Sequence, residues 1–273
     1  MERVLCAVTM RDVCLGLMVA VMLVSFSVGC LAVKVGEDNG APIDDPIEEP
    51  IIPYDGLQLW LMADKGVTEN QSSALALWKD QSSQKNDAVI ETETAPKVVK
   101  NAFGFHSGIR FDETAFIRIP HSDGLNAGEG FTLFLVHRNT SGNRLAQKKS
   151  AHTGTGEDAW FVVATQGLAV SGVYRKGASL FPEGGTVYLQ TSVFDASTGT
   201  IKTYSSGELR ATLNDVCAQV PNEDDLYVGK RNYPGANELP WSGDLFELII
   251  YNATLTEDSR VEVEQYLIDK YGL

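Results

Sequence analysis

Twelve consecutive residues, Lys230-Arg-Asn-Tyr-Pro-Gly-Ala-Asn-Glu-Leu-Pro-Trp241, hold the densest recognition chemistry in the chain. Tyr233 and Trp241 offer ring faces, and Arg231, Asn232, Asn237 and Glu238 offer donors and acceptors. Flat rings that cover the apolar face of a sugar, beside polar groups for its hydroxyls, are what a saccharide contact needs. Pro234 and Pro240 stiffen the segment, and binding residues often ride on loops over rigid scaffolds. The plainer alternative is that Trp241 only caps the edge of a sheet.

Reaction chemistry is thinner. His106, His121, His137 and His152 are scattered singly. His137, beside Arg138 on an apolar run, reads first as a core histidine. No Ser/His/Asp order, phosphate loop or clustered metal-ligand spacing occurs. Glu91 and Glu93 could face one way on a strand, but the turn-like Thr92-Glu-Thr-Ala-Pro96 surrounds them. Glu223, Asp224 and Asp225 fall in a loop before a strand.

The formal net charge is −14 over 273 residues. An acidic body argues against nucleic acid, whose phosphates need a positive partner. It argues equally against docking on anionic lipid by charge. The uncharged run Val13–Gly29 has the length of a signal-peptide core and is short for a membrane span. Arg3 and Arg11 precede it, offset by Glu2 and Asp12, and either Met1 or Met10 could be the start.

That run ends Ser27-Val-Gly-Cys30, which resembles the lipobox of bacterial lipoproteins, where the cysteine is lipidated. Ser27 stands where leucine is usual. Residues 1–29 are therefore read as a lipoprotein-type signal, with an ordinary cleaved signal and an uncleaved anchor helix as alternatives. Cys217 has no partner in the body except Cys30, so no disulfide framework is expected and Cys30 is left for acylation. Residues 30–53 are acidic and carry Pro42, Pro46, Pro50 and Pro53. Such a segment extends instead of folding, and it reads as a tether or a plain disordered leader. The expected address is the bacterial cell envelope, on a membrane through a lipid.

Something must position the loop chemistry, and residues 54–273 supply strands. Leu57-Gln-Leu-Trp-Leu-Met62 is apolar on both parities, the pattern of a strand covered on two sides. Phe131-Thr-Leu-Phe-Leu-Val-His-Arg138 is the strongest central strand. Ile109–Asp112 and Ala115–Ile119 read as a strand pair, with Phe116 and Arg118 on one face and Ile117 and Ile119 on the other. A short strand is expected at Asn86–Ile90. Further short runs at Trp160, Leu168, Val187, Ile201, Leu209, Leu226 and Leu245 are separated by Gly, Asp, Ser and Thr clusters, as in an all-β sandwich or jelly roll. The period then changes. Thr256 is an N-cap, Glu257 and Asp258 suit the first turn, and residues 257–270 form one helix ending near Gly272.

Four segments carry a family likeness: Leu59-Trp-Leu-Met-Ala-Asp-Lys-Gly-Val-Thr68, Ala76-Leu-Trp-Lys-Asp-Gln-Ser82, Gly108-Ile-Arg-Phe-Asp112 through Ile119, and Trp241-Ser-Gly-Asp-Leu-Phe-Glu-Leu-Ile-Ile-Tyr251 through the C-terminus. In order and spacing they resemble the laminin-G-like, concanavalin A-like lectin/glucanase jelly-roll domains of bacterial surface proteins, over about residues 56–273. Ser83 replaces a usual glycine, and Ser259 stands at a usual capping-box glutamate.

The resemblance implies a concanavalin A-like jelly-roll β-sandwich with one C-terminal α-helix. From the residues themselves, Trp60 and Trp78 read as core, Asp80 as a turn-capping carboxylate, and Glu247, on the parity of Leu245, Ile249 and Tyr251, as a satisfied carboxylate under the terminal helix or, alternatively, a metal ligand. The resemblance also implies one structural calcium ion, for which Asp112, Glu113 and Asp244 are the candidate ligands. Enzymes share such folds, but the Glu-x-Asp-x-x-Glu pattern of one hydrolase group is absent. The reading is a non-catalytic module for a polysaccharide or glycoconjugate. A protein-interaction domain and a glycan-cleaving enzyme of unfamiliar motif are the alternatives.

Overall fold

The computed structural model describes residues 52–149, 160–171, 173, 179–181, 184–231 and 239–273. The expected signal, Cys30 and nearly all of the tether lie outside these, as do Asn232, Tyr233, Asn237 and Glu238.

In chain order the strands are β1 (Leu57–Met62), β2 (Val67–Glu69), β3 (Leu75–Trp78), β4 (Lys97–Phe103), β5 (His106–Phe111), β6 (Ile117–Ile119), β7 (Gly130–Gly142) and β8 (Arg144–Lys148). They continue as β9 (Trp160–Val163), β10 (Gly167–Val170), β11 (Val187–Asp195), β12 (Thr200–Ser205), β13 (Glu208–Leu213), β14 (Leu226–Val228) and β15 (Trp241–Tyr251), and the chain closes in helix α1 (Glu257–Tyr271).

A large antiparallel sheet runs β13-β12-β11-β7-β15-β5-β4, and β1 joins β15 beyond the point where β5 stops. A smaller sheet runs β10-β9-β8-β14-β6. Leu59, Leu61, Phe131, Leu133 and Leu135 of the large sheet and Ile117, Ile119, Trp160, Val162, Leu226 and Val228 of the small one share a single core. The outer face of the large sheet is covered again, because Trp60, Met62, Phe134, Val136 and Ile249 pack under Val263, Leu267 and Tyr271 of α1. This third layer explains the two-sided burial of β1. Among the described residues that strand has one ladder partner, β15, and a bulge between Leu57 and Leu59 moves Leu57 to the helix side. Each such fully buried apolar side chain is worth about 1.5–3 kcal/mol.

The expected central strand is β7, flanked by β11 and β15. The expected pairing of 109–112 with 115–119 does not form. β5 stays in the large sheet, while β6 pairs with β14 in the small one. Asp112 makes the crossing, accepting from Thr114 N (2.9 Å), Thr114 Oγ1 (2.7 Å) and Ala115 N (3.0 Å), so the chain turns without a hairpin. Asn86–Ile90 contributes only single bridges, Ala88 to Trp78 and Val89 to Arg118.

Local chemistry sets the ends of α1. Thr256 Oγ1 accepts from Ser259 N at 3.2 Å, and Gly272 closes the helix at φ +67°, which favours glycine. Trp60 and Trp78 are core residues. Asp80 ties its turn together, accepting from Trp60 N, Ser82 N and Asn86 N, each at 2.8 Å. Glu247 is fully buried and accepts from Trp60 Nε1 (2.6 Å), Tyr266 OH (2.9 Å), Tyr271 OH (2.9 Å) and Lys270 Nζ (2.6 Å). Burial first, and then the neighbouring Glu247 carboxylate, push the Tyr271 hydroxyl well above its ordinary value.

Candidate functional site

The small sheet has one face in the core, so its alternate residues point the other way. With Ile117, Ile119, Leu226, Val228, Ala146, Trp160 and Val162 inside, the opposite parity carries Arg118, Tyr227, Gln147 and Phe161. The ladder sets these four side by side, because Arg118 pairs with Tyr227, Tyr227 with Gln147, and Gln147 with Phe161. At the usual strand separation the row is about 14 Å long. Phe116 lies at one end, 6.0 Å between ring centroids from Tyr227. The Arg144 guanidinium sits 3.6 Å over the Phe161 ring at the other.

The row alternates rings with polar groups, and its aromatic members are half-buried. Arg118 is held by Asp225, Nη1 to Oδ2 at 2.7 Å, and that hydrogen bond raises its pKa. Burial raises the Tyr227 hydroxyl. Gln147 is buried, and among the described residues neither its amide oxygen nor its amide nitrogen has a hydrogen-bond partner. A buried polar group left unpaired costs about 1–3 kcal/mol. Such a group asks for an explanation, and a bound ligand is one.

Lys230 connects this face to the loop expected to bind. Its ammonium lies 3.7 Å from the Phe116 ring centroid. Arg231 follows, half-buried. Trp241 does not serve as a stacking platform. It is fully buried, its Nε1 donates to Asn139 Oδ1 at 2.9 Å, and its ring packs against Phe111 and His137. The apolar positions that follow pull it into the core as the first residue of β15.

Of the expected calcium ligands, Asp112 and Asp244 line one cavity, but each is engaged by other groups. Asp112 is committed to its own turn and Asp244 to two arginines, Arg110 (2.7 Å) and Arg138. No cluster of three or more His, Cys, Asp or Glu side chains suited to a metal occurs among the described residues. One seat for a positive charge is filled by the chain itself. Buried Lys148 donates to Asn222 O (3.2 Å), Asn222 Oδ1 (3.2 Å) and Asp224 O, with His121 Nδ1 at 3.1 Å. Burial brings its ammonium down to about 8 against the pull of Asp224, Asp225 and Asp123.

His137 is a core residue. Its Nε2 meets Gln190 Oε1 at 3.2 Å, its ring packs on Tyr188 and Trp241, and burial lowers it to about 4. The Tyr188 hydroxyl donates to Ala164 O at 3.0 Å. The pair therefore packs the interior and is not presented to solvent.

The row went unseen in the sequence apart from Phe116 and Arg118. The missing signal was alternation in three very short strands, Leu226-Tyr-Val, Ala146-Gln-Lys and Trp160-Phe-Val, each with its polar or aromatic member out of phase with the core.

No protein-family model and no curated protein matches the chain by sequence. Among solved structures it is similar to the binding domain of botulinum neurotoxin serotype D/C VPI 5993, at 14% identity and a TM-score of 0.53, over 78% of this chain and 53% of that one. It is also similar to the CBM40 of the Ruminococcus gnavus IT-sialidase bound to alpha2,3 sialyllactose, at 18% identity and a TM-score of 0.47, over 57% of this chain and 95% of that one. A third is the NanB sialidase of Streptococcus pneumoniae, at 15% identity and a TM-score of 0.42, over 50% of this chain and 24% of that one. The chain thus spans 53% of the neurotoxin domain's length and 24% of the sialidase's. The likeness to the neurotoxin domain shows a shared β-sandwich fold.

Proposed function

We propose that the protein is a non-catalytic glycan-binding module of the laminin-G-like, concanavalin A-like kind, held at a bacterial envelope by a lipid on Cys30 and the 30–53 tether. The observation that carries this reading is the Arg118–Tyr227–Gln147–Phe161 row, whose Gln147 amide has no hydrogen-bond partner among the described residues. Half-exposed rings suit sugar faces, and the guanidinium and amide suit hydroxyls. Arg231 follows Lys230, and the residues after it in sequence, Asn232, Tyr233, Asn237 and Glu238, carry the donors, acceptors and ring that would serve the same ligand.

A glycan array probed with the purified chain tests this. Binding that falls at least tenfold in Tyr227→Ala and Phe161→Ala, with melting temperatures near wild type, is the expected result. Binding untouched by both substitutions removes the row from the function. For the address, labelling with a lipid precursor should be lost in Cys30→Ala, and labelling that persists ends the lipoprotein reading.

A further inference from the structure

A cavity of about 510 Å³ opens on the opposite side of the sandwich, on the outer face of the large sheet. Lys97, Arg110, Asp112, Arg138, Thr140, Ser242 and Asp244 line it. At its base lies Asp244, whose side chain is 3% exposed. The bulge between Ser242 and Gly243 brings it there, and the bulge needs glycine, since a Cβ on Gly243 would stand 2.2 Å from Arg138 O and 2.5 Å from the Trp241 ring.

One carboxylate orders two guanidiniums. Arg110 reaches Asp244 through Nε (2.7 Å) and Nη2 (3.0 Å). Arg138 reaches it through Nε (3.0 Å) and Nη2, and its Nη2 also donates to Ala102 O at 3.3 Å. In both arginines Asp244 engages the Nε and Nη2 edge and leaves Nη1 to other acceptors. Burial alone would raise the Asp244 carboxyl, but the two guanidiniums bring it below its ordinary range. Arg110 remains 49% exposed and Arg138 23%.

Among the described residues, three cations against Asp244 and Asp112 leave the cavity lining net positive, in a chain whose net charge is −14. Screening over roughly 8–10 Å at physiological salt makes the local sign decide. Two oriented Nη1 groups beside two hydroxyls match the oxygens of a planar or tetrahedral anion.

We propose that this cavity is a second binding site and takes one oxyanion, a carboxylate or sulfate, carried on an acidic saccharide. The anion seat stands on the arginine pair alone. The saccharide that carries the anion rests on the glycan-binding reading above.

The test is calorimetric titration of the full chain with tetragalacturonate, with its neutral methyl ester, and with sodium sulfate, in wild type, Arg110→Gln and Tyr227→Ala. Arg110→Gln leaves Arg138 on Asp244, so the fold has its pairing, and a melting curve checks it. The expected result is that tetragalacturonate binds at least tenfold tighter than its ester and that Arg110→Gln erases this preference. Tyr227→Ala should keep it. Equal binding of acid and ester, or a preference untouched by Arg110→Gln, overturns the proposal. Sulfate that binds saturably and is lost in Arg110→Gln supports the seat even where both saccharides fail, and that outcome overturns the saccharide carrier, while the glycan array decides the glycan reading separately. Sulfate that fails along with both saccharides overturns the seat.

Discussion

Acidification should destabilise this domain through His137. The side chain is fully buried, and its neighbours Gln190, Tyr188 and Trp241 are all neutral, so the Gln190 hydrogen bond favours the imidazolium but burial outweighs it. Burial lowers the folded group to about 4 from 6.5. As pH falls, the unfolded chain takes up its proton first. Stability due to the neutral ring is therefore full above 6.5 and is lost as pH falls toward 4. At 1.36 kcal/mol per pH unit, the gap amounts to roughly 3 kcal/mol. A domain of this size loses about 2–4 °C per kcal/mol, so the melting temperature should drop by about 6–12 °C from this residue between pH 7 and 4.

Carboxylates add their own acid sensitivity below that window, and Asp112, Asp195 and Asp244 are all held low in the fold. The comparison is therefore wild type against His137→Gln, by urea unfolding at pH 7.0, 5.5 and 4.5. Gln keeps a polar partner for Gln190 and does not titrate. The variant's stability should change less over this interval, by roughly 3 kcal/mol at the acid end. A His137 imidazole resonance titrating near 6.5 in the folded protein, assigned by its loss in His137→Gln, or equal slopes for the two proteins, refutes the reasoning.

Two further outcomes follow from the buried charges. Glu247→Gln strips the carboxylate from Trp60, Tyr266, Tyr271 and Lys270 and should cost about 3–5 kcal/mol, read as a loss of about 6–20 °C by calorimetry. A double variant with Lys270→Met should lose less than the two singles summed, since the partners are in contact. Lys148→Ala empties a seat lined by Asn222 O, Asn222 Oδ1 and Asp224 O, so millimolar calcium should raise the melting temperature of the variant and leave wild type unmoved. A wild-type melting temperature that falls on adding a chelator contradicts this placement of the cation.

The sequence alone settled what depends on near neighbours. Period-two runs marked the strands, and the change of period after Tyr251 marked α1. Thr256 and Gly272 set its ends because a cap acts within one turn. The roles of Asp80 and Glu247 were legible too, one from its turn context and one from a carboxylate caught between apolar neighbours.

Tertiary structure decided who sits beside whom. Alternation tells which face a residue occupies and not which strand lies next to it. Arg118, Gln147, Phe161 and Tyr227 come from four strands far apart in the chain, and only sheet register lines them up. Arg110, Arg138 and Asp244 meet for the same reason. Trp241 shows the opposite case. An aromatic at the end of a polar, proline-bracketed loop can be an exposed platform or the cap of a sheet edge, and the sequence left both open; Trp241 opens β15, and burying a ring of that area against Phe111 decided between them.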